Sequence, residues 1–215
     1  SGKTTLFNLI AGNLQPSSGA VLFQGENITG TPSYELFSKG ILRTFQIAHE
    51  FTNLTVLENL MMVPGNQSGE KLTNALFNPK VVNQEEKKIK QKALEVIEFL
   101  NLTKLSKELA GNLSGGQKKL LELGRSIIRK PDVLLLDEPL AGVNPKLTEE
   151  ILEIIDKLSN DGITILMVEH NIEAVMKISE RVIVLAEGSL IADGLPQEVR
   201  RNEKVIEAYL GGGDE

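Results

Sequence analysis

Three apolar runs in the last third of the chain restrict the fold most: VLLLD (133–137), ITILMVEH (163–170) and RVIVLAEG (181–188). Each is dominated by a near-continuous hydrophobic stretch, the pattern of strands buried on both faces rather than one. Between the first two lies KLTEEILEIIDKLSN (146–160), an amphipathic helix stopped by Asp161-Gly162. A strand, a helix and a strand at this spacing predict a βαβ unit with parallel strands. The third run should turn back through Glu187-Gly188 into SLIADG as a hairpin. Upstream, AVLFQGENI (20–28) reads as a strand and turn, and GILRTFQ (40–46) as a short strand. The character then changes. TVLENLMM is helical in pattern, and PGNQSGEKLTN (64–74) is a loop. QEEKKIKQKALEVIEFLNL (84–102) is a helix with Ile89, Ala93, Val96, Ile97 and Leu100 on one stripe. The expectation is one α/β domain over 1–215, with a core of residues 1–46 and 130–215 and a helical block inserted at about 47–129.

Composition narrows the function classes. Aromatics are only 4% of 215 residues, so Leu, Ile and Val must fill the core. A net charge of −6 argues against a nucleic-acid face, which needs clustered Lys and Arg. With no cysteine there is neither disulfide framework nor thiol chemistry, which suits a reducing cytoplasm. No apolar run reaches the roughly 18 residues of a bilayer span, and the first residues do not read as a signal peptide.

Three short stretches carry chemistry. SGKTT (Ser1–Thr5) precedes the apolar LFNLIAGN and reads as the second half of a phosphate-binding loop. Gly2 would let backbone approach phosphate oxygens, and N–H groups at the helix start would face the anion. Lys3 would reach the terminal phosphates, and the Thr4 hydroxyl would bind Mg²⁺. The plain alternative is an ordinary helix with a serine cap. VLLLDEP sets Asp137 and Glu138 at the carboxyl end of a buried strand, where open α/β sheets present ligand chemistry. There Asp137 can hold Mg²⁺ and Glu138 can take a proton from an attacking water; the alternative is a solvated surface turn. In Leu113-Ser114-Gly115-Gly116-Gln117, a hydroxyl and glycine N–H groups open a second helix. That is either a second anion site or simply an N-cap.

LSGGQ, between SGKTT upstream and LLLDEP downstream, resembles the signature sequence of ABC ATPases, in that family's order. The resemblance implies a P-loop NTPase (RecA-like) core, mostly parallel, with an inserted helical subdomain. It implies ATP and Mg²⁺ as ligands and a head-to-tail dimer. In that dimer Ser114, Gly115, Gly116 and Gln117 of one subunit close over ATP held by Ser1, Gly2, Lys3, Thr4 and Thr5 of the other. Gln46 matches the family's glutamine loop, which contacts Mg²⁺ and the attacking water. His170 matches the switch histidine, which contacts the γ-phosphate and supports Glu138, while His49 reads as structural. Asn144 stands where the family commonly has Asp, leaving at most a hydrogen bond at the dimer seam.

The stretches RTFQIAHEFTNLTVLENLMM, KKLLELGRSIIRKPDVLLLDEPLAGVNP and EKVIEAYLGG look like ATP-binding subunits of branched-chain amino acid importers. This implies ATP hydrolysis on the cytoplasmic side, peripheral on the inner face of the membrane. The implied partners are permease subunits, a second ATP-binding subunit (identical or a paralogue) and, indirectly, an external solute-binding protein; nucleic acid is not among them. The first half of the phosphate loop and the aromatic that stacks on adenine are expected in a segment preceding Ser1, so the chain reads as N-terminally truncated. Alternatives are a related urea or amide importer, a lipopolysaccharide exporter, a soluble ABC ATPase acting on DNA or the ribosome, and a non-catalytic ATP sensor. Intact Glu138 and His170 argue against the sensor.

Overall fold

The computed structural model describes residues 2–44, 51–64 and 79–210. Helix α1 (Lys3–Ile10) is followed by a tight hairpin of β1 (Leu22–Phe23) and β2 (Glu26–Asn27), then α2 (Ser33–Ser38) and β3 (Ile41–Arg43). Next come α3 (Val56–Met61), α4 (Pro79–Phe99) and α5 (Gly115–Ile127). The chain returns to the sheet as β4 (Val133–Asp137), α6 (Pro145–Asn160) and β5 (Thr164–Val168). It ends with α7 (Ile172–Ile178), β6 (Val182–Ala186), β7 (Ser189–Gly194), α8 (Pro196–Arg200) and α9 (Glu203–Leu210).

Strands β3, β4 and β5 form a parallel sheet in that order, pairing Leu42 with Leu134 and Leu136 with Met167. The period of two along each strand sorts side chains to two faces. Ile41, Leu135 and Val168 join Phe7, Ala11, Ile28 and Leu36 in one apolar cluster beneath α1, the hairpin and α2. Leu42, Leu134 and Leu136 join Leu120, Leu121, Ile151 and Ile155 in a larger cluster under α5 and α6. Leu134, Leu135 and Leu136 are at most 1% exposed, so β4 is buried on both faces as its sequence predicts.

The third apolar run does not follow that rule. β6 pairs antiparallel with β7, through Glu187 and Gly188 at φ 50 and 78, and Ile183 remains 46% exposed. One face of this hairpin is covered by Val199 and Val205 from α8 and α9, against Val182 and Ala192. Among the described residues it is a one-sided antiparallel ribbon, for which hydrophobicity on both faces is not diagnostic.

In the helical block, α4 starts at Pro79, earlier than the Gln84 expected from the charged run. Proline suits a first helical turn, where its missing N–H is not needed. The helix closes with Asn101 at φ 56 and Leu102 N–H on the Ile97 carbonyl (2.9 Å), the geometry of a left-handed cap. Ala93, Ile97 and Leu100 are buried as the stripe predicts. Gly124 of α5 lets α3 and α4 come close: a Cβ there would lie 2.7 Å from Leu100 and 3.2 Å from Leu60. Val56, Leu60, Ile97 and Leu121 share the large cluster with Leu134 and Ile151, so helical block and sheet are packed as one core. The expected loop at Pro64–Asn74 lies almost wholly outside the described residues.

Candidate active site

Strand alternation decides which face Asp137 meets. Counting back from Val168, its partner across the ladder, Asp137 lies on the same side as Leu135, toward α1. Its side chain is 1% exposed, and Oδ2 accepts from Arg43 Nη2 at 2.6 Å. Arg43 Nη1 donates to Asn8 Oδ1 of α1, also at 2.6 Å, and the guanidinium lies 5.9 Å from the Phe7 ring centre. Arg43 thus ties β3, β4 and α1 together at the carboxyl end of the sheet. The other oxygen, Asp137 Oδ1, is buried with no hydrogen-bond partner among the described residues. A buried carboxylate oxygen without a donor is costly unless a cation or a bound water meets it. A carboxylate oxygen is a hard donor of the type that Mg²⁺ takes.

Glu138 follows immediately and leaves the strand. Its φ is 49, an uncommon value for a residue with a Cβ. Its N–H still reaches the Val168 carbonyl (2.9 Å), while its own carbonyl accepts from Ala141 N–H (3.1 Å). The carboxylate contacts His170: Oε1 lies 2.7 Å from Nε2. An ionised carboxylate only accepts, so Nε2 carries the hydrogen in this contact. His170 sits just beyond β5 with its side chain 68% exposed, so the pair faces outward from the sheet.

Two charged groups fix the turn after β4. Lys119 Nζ, from α5, donates to the carbonyls of Glu138 (3.1 Å) and Pro139 (3.2 Å). Burial pushes this ammonium below its usual range, partly offset by Glu122, Glu169 and Glu138 nearby. Glu169 Oε1 accepts from Leu140 N–H (2.7 Å) and Oε2 from His170 N–H (3.0 Å).

α1 begins at Lys3, with Gly2 at φ 85 in the N-cap position and no side chain capping it. A left-handed glycine thus opens the helix, and the serine of the plain alternative, Ser1, lies outside the described residues. Room at Gly2 is also limited, since a Cβ there would lie 3.2 Å from Gly188. At the second glycine turn, Ser114 caps α5 in a reciprocal box. Its Oγ accepts from Gln117 N–H (3.3 Å) and Gln117 Oε1 accepts from Ser114 N–H (2.9 Å). Gln117 is thus turned back onto its own helix. Gly115 faces open space, whereas a Cβ at Gly116 would lie 2.0 Å from Leu147. Asn144 is engaged too, its Oδ1 accepting from Leu147 N–H (3.0 Å) as the cap of α6.

The structure therefore brings Asp137, Glu138 and His170 together at one sheet end, with α1 beside them. Gln46 and His49 lie outside the described residues, as does Ser1. Arg43, Lys119 and Glu169 were not singled out by motif. Their signal was a charge inside an apolar pattern: Arg43 alternates with Ile41, Lys119 falls four residues before buried Leu123, and Glu169 ends ITILMV.

A parallel α/β sheet whose acid-bearing strand is tied at its carboxyl end to a helix opening on Gly-Lys-Thr has the layout of a phosphate-binding nucleotide enzyme. Residues 1–141 match the ABC transporter family, and residues 189–215 match the branched-chain amino acid ATP-binding cassette transporter family. The probable branched-chain amino acid transport ATP-binding protein LivG of Archaeoglobus fulgidus is 41% identical over 214 residues, covering 100% of this chain and 82% of that protein. The high-affinity branched-chain amino acid transport ATP-binding protein BraF of Pseudomonas aeruginosa is 38% identical, covering 98% and 83%. A solved ATP-binding cassette of an ABC transporter, in its ADP conformation, superposes with a TM-score of 0.80 at 38% identity, covering 98% of this chain and 84% of that one. The chain belongs to the ABC transporter family as an ATP-binding cassette, and it is an ATPase of that class. No helix among the described residues is long and apolar enough to cross a membrane.

Proposed function

We propose that this chain is the ATP-hydrolysing subunit of an importer for branched-chain or other hydrophobic amino acids, docked on permease subunits at the cytoplasmic face of the membrane. The names of its relatives and the match over residues 189–215 support the solute class. The hydrolytic reading rests on one observation, the 2.7 Å contact between Glu138 and His170 beside the half-unpaired carboxylate of Asp137.

In this reading the α1 start holds the phosphates: the N–H groups of Lys3, Thr4 and Thr5 face them, Gly2 admits their close approach, and Lys3 adds charge. Thr4 and Asp137, with Gln46, would hold Mg²⁺, which when bound neutralises the terminal phosphate charge. Arg43, bonded to both Asp137 and Asn8, holds the Asp137 carboxylate beside α1. Glu138 accepts the proton of the attacking water, and His170 holds its carboxylate in place from the next strand. Ser114, Gly115 and Gly116 serve the nucleotide of a second cassette, identical or paralogous, so that closure is an intermolecular event. Residues about 47–129 form the helical unit that passes this motion to the permease, and an external binding protein delivers the solute.

Glu138→Gln in the full-length protein tests the base. Turnover should fall by at least about a hundredfold, the scale of losing a general base, while ATP binding persists. Hydrolysis at the wild-type rate would remove Glu138 from the role.

A further inference from the structure

We propose that Lys119 is a positioning residue for hydrolysis: from the signature helix α5 it holds the backbone of Glu138 in the conformation that aims the carboxylate at His170. The inference rests on the reading of Glu138 as the base and extends it to a residue outside the recognised motifs.

The geometry is specific. In an extended strand consecutive carbonyls point to opposite sides, so one ammonium cannot serve both. Lys119 Nζ is within 3.2 Å of the carbonyls of Glu138 and Pro139 together, which requires the chain to turn sharply there. The turn is the left-handed residue Glu138, at φ 49. Such a conformation is unfavourable for a residue with a Cβ and persists only where surrounding contacts impose it. Here they are the Lys119 ammonium on two carbonyls, Ala141 N–H on the first of them, and Glu169 accepting from Leu140 N–H. Lys119 is half-buried, with Leu120 and Leu123 buried beside it and Glu122 one turn on. A solvated lysine would not lodge its charge there without partners.

The contact also links the two ends of the chemistry. Lys119 is five residues from Ser114, within α5, whose N-terminus carries the signature glycines. Any displacement of that helix start on closure is felt at the Glu138 carbonyl. The base of one subunit is thereby tied to the helix that its own signature presents to the partner cassette.

The test is steady-state ATP hydrolysis of the full-length protein, with Lys119→Met, Lys119→Arg and Glu138→Gln run in parallel and thermal unfolding recorded for each. Methionine keeps the apolar stem and removes the ammonium. Lys119→Met should lower kcat by about tenfold or more, the scale of misplacing a catalytic group, with KM for ATP within about twofold and unfolding little changed. Lys119→Arg should recover most of the loss. Wild-type kcat in Lys119→Met, or a loss of kcat matched by collapse of ATP binding and thermal stability, would overturn the inference, and so would failure of arginine to recover activity. An inactive Glu138→Gln beside a normal Lys119→Met would sink this inference and leave the base standing. A fully active Glu138→Gln would sink the base itself.

Discussion

At the scale of single residues, charge carries the information that hydrophobic pattern does not. Asp137 is almost fully buried, and Arg43 is its carboxylate's only hydrogen-bond partner among the described residues. Removing one partner of a buried ion pair leaves an uncompensated charge and costs about 3–5 kcal/mol. Arg43→Met, which keeps the stem against Phe7, should therefore destabilise the protein by about 3 kcal/mol, or roughly 6–12 °C in a chain of this length. Calorimetry decides: an unchanged melting temperature would mean that Asp137 does not depend on Arg43. Motif reading identified Asp137, Glu138 and His170, whose positions at strand ends follow from the apolar runs that carry them. It passed over Arg43, Lys119 and Glu169. Each acts through backbone or a paired charge across long sequence separation, and nothing local in the sequence says what such a side chain will touch.

At the scale of elements, caps account for where helices begin. Thr55, Ser114, Asn144 and Asn171 each accept a backbone N–H from their own helix, while α1 starts on a bare glycine. Helices α2 and α8 also begin without a side-chain cap, so a missing cap alone does not mark an anion site, and the signature serine combines a cap with an exposed glycine. α3 offers a pH-dependent check. Thr55 N–H and its hydroxyl hold the Glu58 carboxyl below its ordinary value of 4.5. A carboxyl lowered on folding stabilises above its unfolded pKa, and that contribution is lost as pH falls through the folded one. Denaturant midpoints of wild type and Glu58→Gln should thus differ by a constant amount above about pH 5 and converge below it. Parallel curves down to acid pH would show that the box adds nothing. Helices and buried strands were legible because their periodicities are local. The one-sided β6–β7 ribbon was not, since VIVLA reads alike whether one face is covered or two.

At the scale of the molecule, the two glycine-opened helix starts stand at opposite ends of the chain's logic. One is at Gly2, beside the sheet end with Asp137 and Glu138; the other is at Ser114, on a helix packed into the helical block. Sequence order and family membership suggested that they meet across a nucleotide only between two cassettes, and no periodicity could have said so. The direct measurement is the mass in solution of full-length Glu138→Gln with Mg·ATP, alone or with its paralogous cassette, with and without Ser114→Arg. The account predicts a cassette dimer for Glu138→Gln and single cassettes, still binding ATP, once Ser114→Arg is added. A dimer that survives Ser114→Arg, or a Glu138→Gln protein that stays monomeric under both conditions, would contradict it.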